Sequence, residues 1–329
     1  MNPYRQQATA ALRAVAVKTP TSYAWFGRAS RPLPPAVAAT VRPGLQREYL
    51  LDRLEAALYH SFYRHGRPLP HRPGDGPPFS RDSLFVDALS AANVGQGGWD
   101  PGWFVEADEG RLVRVTRDGL RMSDPASECR PPESAPGRPT SVRRLKEHRS
   151  LSPWFYFAFG DADDGYVDAV ETRVYFNVTA AGAAPLVATA TRTLNEAAVP
   201  FSLKVLNHPA NFTCCDAGVL YLRRGAFSRA REPLRAVASA CSPYLRPDAP
   251  AFTRPLCAGI AVAEHVPGHG ESFGSSRCRL LAEGVLAAHE RGTTTPAGRL
   301  DAVAERFAER GLDLDVPYLA PSSSEAYVL

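Results

Sequence analysis

Leu51, Leu54, Leu58 and Phe62 recur at helical spacing in an otherwise polar stretch, and Gly66 is placed to stop the run. This is the clearest of three helices predicted to open the chain. After a Pro-rich stretch, Ser80 is placed to cap a helix carrying Leu84, Phe85, Ala88 and Leu89. The period then changes to two. Trp103-Phe104-Val105, Leu112-Val113-Arg114-Val115 and Leu120-Arg121-Met122, separated by Glu109-Gly110 and Asp118-Gly119, predict a small antiparallel meander. Residues 123–147 are rich in proline, serine and charge and predict a flexible excursion.

From Pro153 the chain becomes β-rich and aromatic. Residues 154–159 and 172–178 predict two adjacent core strands, and a helix over 186–197 leads to a further strand over 201–207. Another strand follows at 217–222. Helices fit residues 227–240, 276–289 and 297–310, the last closed by Gly311. Strands and helices mix without strict alternation, which predicts an α+β fold: a mixed, largely antiparallel sheet flanked by helices. The expected organisation is an N-terminal helical region plus meander over 1–122 packed on the core, a Pro/Ser-rich flexible excursion over 123–150, and the α+β core over 151–329.

At 329 residues and 35.6 kDa the chain is long enough for one large domain or two smaller ones. No run is long enough to span a bilayer, and the N-terminus lacks the continuous apolar region of a signal peptide, so a cytoplasmic protein is expected. A net charge of +4 is too mild to indicate nucleic acid and suits a small anionic ligand. The six cysteines have no regular disulfide or zinc spacing, so packed thiols are expected and no metal is signalled.

Of the 38 lysine and arginine residues only three are lysines: Lys18, Lys146 and Lys204. Lys204 lies in the β-prone run Phe201-Ser202-Leu203-Lys204-Val205-Leu206-Asn207, where a solvated charge is not the default. A desolvated lysine can lose its proton and an arginine effectively cannot, so Lys204 is a candidate base. The stretch Glu271-Ser272-Phe273-Gly274-Ser275-Ser276-Arg277-Cys278-Arg279 precedes an apolar-periodic helix, and its hydroxyls, free N–H groups, Arg277 and Arg279 suit an anion. Capping by Ser275 with solvated arginines is the plainer alternative. Arg173 and Arg254, set among apolar residues, extend a dianion pocket or else pair with carboxylates. His265 and His269 flank Pro267-Gly268, which breaks the helix a zinc pair requires, so an exposed loop is expected. Gly95-Gln96-Gly97-Gly98 lacks the flanking elements of a dinucleotide site. His208, before Pro209, reads as a turn residue.

In order along the chain, Leu89-Ser90-Ala91-Ala92-Asn93 with Gly98-Trp99-Asp100-Pro101-Gly102-Trp103, Arg173-Val174-Tyr175-Phe176-Asn177, Phe201 to Asn207, Asp216-Ala217-Gly218-Val219-Leu220-Tyr221, Phe252-Thr253-Arg254-Pro255-Leu256, and Ser272-Phe273-Gly274 to Ala282-Glu283-Gly284 resemble the HopA-type effector family. That family includes plant-pathogen effectors and stand-alone lyases of class V lanthipeptide and thioamitide pathways. The resemblance covers roughly residues 50–320. It implies a carbon-oxygen lyase that eliminates phosphate from phosphothreonine or phosphoserine in a ribosomal precursor peptide, leaving dehydrobutyrine or dehydroalanine. Implied partners are the phosphorylated precursor, a separate Ser/Thr kinase and a cysteine decarboxylase, with no cofactor, nucleic acid or membrane.

For that reaction Lys204 is the expected base, Arg173, Arg254, Arg277, Arg279 and Ser275 the phosphate-binding set, and Tyr175, Asn177 and Asn207 the substrate-binding set. Asp216, Tyr221 or His208 is expected to supply a proton. Known phosphothreonine lyases carry a histidine two residues after the base, where this chain has Leu206. A Schiff-base lysine enzyme and a non-catalytic phosphopeptide-binding partner of a kinase are the alternatives.

Overall fold

The computed structural model describes residues 2–70, 81–131, 135–162, 170–266 and 271–329. Ser80 and His269 lie outside these residues. Helix α1 (Pro3–Ala14) is capped by the Asn2 side chain and leads into a ribbon of β1 (Val15–Thr19), β2 (Ser22–Trp25) and β3 (Arg28–Ala29), which the sequence reading missed. Short α2 (Pro35–Thr40) precedes α3 (Pro43–Ser61), whose Leu50, Leu51, Leu54 and Leu58 are buried. A 3-10 turn over Tyr63–His65 follows, and Gly66 closes it in the left-handed region at φ 70°. Helix α4 (Ser83–Ala92) is capped by Asp82, and it buries Val86 and Leu89 while Leu84 faces solvent.

The meander forms as expected, from β4 (Gly98–Asp108), β5 (Leu112–Arg117) and β6 (Leu120–Pro125). The flexible excursion expected over 123–150 needs correction, because its described residues supply β7 (Cys129–Arg130), β8 (Pro139–Arg144) and β9 (Glu147–His148). Val142 and Cys129 pair with each other and join Trp103, Val105, Val113 and Val115 in a small separate core. Burial of two apolar residues outweighs the polar composition around them.

The remaining strands are β10 (Phe155–Phe159), β11 (Glu171–Phe176), β12 (Ser202–Leu206), β13 (Gly218–Arg223), β14 (Arg254–Cys257) and β15 (Ile260–His265). Helices α5 (Ala183–Glu196) and α6 (Phe227–Cys241) come before β12 and after β13, and α7 (Phe273–Glu290) and α8 (Pro296–Glu309) follow β15. Among the described residues, seven strands form one antiparallel sheet in the order β14-β15-β11-β13-β12-β10-β9. The strands at 154–159 and 172–178 are therefore not neighbours. β12 and β13 lie between them, because the segment through α5 returns the chain inside the sheet rather than at its edge.

The two faces of this sheet differ. Leu203, Val205, Leu220, Val174, Tyr156 and Ala158 point to the α5 side and are fully buried, with Leu186 of α5 packed closely over Gly218. On the opposite face Phe155, Phe157, Ser202, Lys204, Tyr221, Arg223, Glu171 and Arg173 are all only partly covered. Helices α3 and α7 close the rest of that face, where Phe273 meets the rings of Tyr63 and Tyr175. Gly274 lets α7 approach, since a Cβ there would overlap the Tyr63 ring. Gly274→Ala is expected to lower stability by about 1–3 kcal/mol through overpacking, despite alanine's better helix propensity. A chemical melt checks this, and an unchanged or higher midpoint would contradict it.

Candidate active site

The register of the central sheet assembles the site. Lys204 on β12 sits opposite Phe157 of β10 and Val219 of β13, and Val219 in turn sits opposite Tyr175 of β11. One row along, Ser202, Tyr221 and Arg173 stand side by side. Directly opposed residues share a face, so Lys204, Tyr221, Arg173 and Tyr175 project together onto the partly open side.

Lys204 is held among aromatic rings, its Nζ 4.6 Å from the centroid of Phe155 and 5.5 Å from that of Tyr221. Among the described residues no hydrogen bond or ion pair fixes its ammonium. Burial depresses its pKa below the ordinary lysine value, Arg173 adds to that, and Asp216, Tyr175 and Glu171 oppose it. The other two lysines are unlike it: Lys18 is exposed, and Lys146 donates to the Asn93 carbonyl at 2.8 Å.

Arg173 pairs with Glu171 at 2.7 Å, one strand step away on the same face, and lies 5.2 Å over the Tyr221 ring. Burial, then the nearby negative groups Glu171 and Asp216, push the Tyr221 phenol well above its ordinary value, and Arg173 only partly reverses this. It is a protonated donor between the lysine and the arginine. Tyr175 is raised to about 12 by burial, against the pull of Arg173 and Lys204.

Asp216 precedes β13 and is nearly fully buried. Burial disfavours its charge, but Arg64, the Cys214 thiol and Lys204 outweigh that and hold its pKa below the ordinary carboxylate value. An ionised carboxylate carries no proton to give, so Asp216 does not fit the expected proton donor. His208 sits in the turn expected for it before Pro209, its Nδ1 accepting the Ala210 N–H at 3.2 Å as a cap.

Three expected phosphate ligands lie elsewhere. Arg254 stands opposite Val262 on the other face of the sheet, paired with Glu325. Arg279 faces outward from α7 and ties it to α3 through Glu48, Asp52 and Glu55 at 3.2–3.3 Å. Ser275 donates to Glu55, while Ser272 is the cap of α7 and accepts from the Ser275 N–H at 3.1 Å. Helical periodicity decides this: residues 275 and 279 fall on the α3 side, and 273 and 277 on the sheet side.

Arg277 is buried under the site without a carboxylate among the described residues. Its Nε and Nη2 donate to the carbonyls of Pro317 and Leu319 at 2.8 and 3.2 Å, and burial and Arg173 lower its pKa to about 10. Asn177 and Asn207 sit at strand ends, where their amide groups donate to the carbonyls of Asp248 and Pro153 at 2.9 and 3.1 Å. Their Oδ1 atoms are buried and find no hydrogen-bond partner among the described residues.

Several site groups escaped the sequence reading. Glu171 was visible as a same-face neighbour of Arg173 by the period of two. Tyr59 comes from the far end of α3 and Tyr63 and Arg64 from the turn after it, and no local pattern links them to Lys204. His265 ends β15 as a buried residue rather than in an exposed loop. Burial and the charges of Arg173 and Arg277 lower its pKa from 6.5 to about 4, while its Nε2 meets the Glu271 carbonyl at 3.0 Å. A lowered folded-state value means that the unfolded chain takes up the proton first as pH falls. Stability from this group is therefore complete above about 6.5 and is lost between there and about 4, on the order of 3 kcal/mol. Urea melts across that window should show the slope, and His265→Gln should flatten it.

Two recesses flank α7. One of about 380 Å³ is lined by Asp52, Glu55, Tyr59, His60 and Ser275, an acidic wall unsuited to phosphate. The other, about 230 Å³, includes His265, Glu271, Arg277 and Arg310. The five non-exposed cysteines and the exposed Cys257 are all free thiols. Among the described residues no group of three or more His, Cys, Asp or Glu could hold a metal ion, and no helix is long and apolar enough to cross a membrane.

An effector protein from Pseudomonas syringae pv. tomato strain DC3000 shares the fold along 98% of this chain and 97% of its own, with a TM-score of 0.50 at 13% identity. A second effector, from Pseudomonas syringae pv. syringae strain 61, aligns over 74% of this chain and 85% of its own at a TM-score of 0.42 and 16% identity. No curated protein matches significantly. Residues 146–319, which carry Arg173, Lys204, Asp216, Tyr221 and Arg277, match the HopA1 effector protein family, and the chain belongs to that family.

Proposed function

We propose that this chain is a lyase that removes phosphate from phosphothreonine or phosphoserine in a peptide by β-elimination. One observation carries the reading: a desolvated amine with no partner among the described residues, Lys204, stands on the same half-open face as the buried guanidinium of Arg173, with the Tyr221 phenol between them. Counting the permanent charges, Arg173 and Arg277 outnumber Glu171, while Asp216 is matched by Arg64. The face therefore suits a group carrying about −1.5 to −2 charges.

The step balances with these residues alone. Lys204 takes the proton from Cα, the electron pair forms the Cα=Cβ bond, and the Cβ–O bond breaks to release phosphate. Arg173 neutralises the departing oxygens, and Tyr221 is placed to donate a hydrogen bond to the leaving group or to the enolate-like carbonyl oxygen. The products are dehydrobutyrine or dehydroalanine and inorganic phosphate. In this reading a separate kinase supplies the phosphorylated precursor peptide, and a cysteine decarboxylase acts on the same precursor.

Incubation with a phosphothreonine peptide followed by mass spectrometry tests this. Loss of the mass of phosphoric acid is the expected result. Tight binding without mass change would favour a non-catalytic partner of the kinase, and a borohydride-trapped adduct on Lys204 would favour a Schiff-base enzyme.

A further inference from the structure

A buried ion pair stands beside Lys204 that the elimination itself does not use. Arg64 Nε meets Asp216 Oδ1 at 3.2 Å, with side chains 16% and 8% exposed. The second arm of Arg64 lies 2.7 Å from Cys214 Sγ, and its backbone carbonyl accepts the Cys215 N–H at 2.7 Å. The turn after α3 and the chain entering β13 thus hold each other in place. Tyr59 approaches the other carboxylate oxygen at 3.5 Å. Leu206 N–H donates to the Ala217 carbonyl at 3.0 Å, which sets Asp216 at the end of β13 nearest Lys204.

Charged and titratable groups face Lys204 from every packed element: Tyr221 and Asp216 from β13 and its entry, and Glu171, Arg173 and Tyr175 from β11. The end of α3 and its following turn contribute Tyr59, Tyr63 and Arg64, while His265 of β15 and Arg277 of α7 act on Arg173. Two of these are carboxylates, and Arg173 already engages Glu171. Asp216 is the one left with a choice of cation.

We propose that Arg64 is a positioning residue for Lys204: by holding Asp216 in its own ion pair it keeps that carboxylate off the lysine and leaves the amine available as a base. This deepens the lyase reading and rests on it for its catalytic meaning. A buried carboxylate deprived of Arg64 would recruit the nearest remaining cation, and a lysine so paired keeps its proton. Arg64 acts through Asp216 and touches no reacting atom.

The three lysines make a direct test possible. With lysine labelled at 13Cε and 15Nζ, the NMR titration of the whole chain contains one signal each for Lys18, Lys146 and Lys204. In Arg64→Met the Lys204 midpoint is expected to rise by about one pH unit or more, and in Asp216→Asn to fall below wild type. Arg64→Lys should stay near wild type, and Arg64→Met combined with Asp216→Asn should lose the rise. An unchanged or lowered midpoint in Arg64→Met overturns the proposal. If that variant does not fold, an unchanged midpoint in Asp216→Asn overturns it equally.

With a phosphothreonine peptide, the rising limb of kcat/KM should follow the NMR midpoint, so that Arg64→Met loses about tenfold near neutral pH and recovers at high pH. Loss of activity at all pH values with the midpoint unmoved would assign Arg64 a purely structural role. A wild-type protein inert toward the peptide, with midpoints moving as expected, would sink the lyase reading and leave the charge relation standing.

Discussion

Lys204→Ala is expected to lower phosphate elimination by about 10³-fold or more while phosphopeptide affinity changes only a few-fold. The amine sits between Phe155 and Tyr221 with its pKa pulled down by burial and with no ion pair among the described residues to hold its proton, so its part is to accept a proton, while Arg173 binds the dianion. Its loss removes the proton acceptor and leaves Arg173 and Glu171 in place. Arginine at this position should not restore activity, because a guanidinium stays protonated. Single-turnover kinetics beside a binding titration checks both halves. Retained elimination in Lys204→Ala would end the assignment, and a parallel collapse of binding would recast the lysine as a phosphate ligand.

The second large effect is expected from Arg173→Met, with kcat/KM falling by about 10²- to 10³-fold and affinity for the phosphopeptide falling with it. Two causes act together. The charge facing the phosphate is lost, and Glu171, freed from its 2.7 Å pairing, turns its field on Lys204 and raises the lysine's hold on its proton. A shift of the pH–rate profile to higher pH should therefore accompany the weaker binding. Arg173→Lys should recover only part of the loss, since a point charge cannot make paired bonds to phosphate oxygens. An Arg173→Met protein that binds and turns over like wild type would remove the phosphate site from this face.

How much of the site was legible in the sequence varies by residue. Lys204 was legible through rarity and context, since one lysine in a β-prone run stands out against an arginine-rich background. Arg173 was legible as an arginine in an apolar, aromatic strand, while Tyr175 and Tyr221 came from the blocks that resemble the HopA-type family. Arg254, Arg277 and Arg279 could not be sorted in the same way. Their roles depend on which side of a strand or helix meets the sheet, and Arg254 fell on the far face while Arg279 turned to α3.

Local sequence was enough for the element types over most of the core, the α+β class, and the lysine-arginine pairing as a candidate chemistry. Those follow from short-range periodicity and from the intrinsic proton affinities of the side chains. Long-range packing is what separates β10 from β11 by two strands, builds sheet from Cys129–Arg130 and Pro139–Arg144, and brings Arg64 of the turn after α3 to Asp216. Each of those facts joins residues distant along the chain. Local patterns specify which face of an element is apolar, but the partner that covers it, and the charge left facing the lysine, are fixed only when the whole core packs.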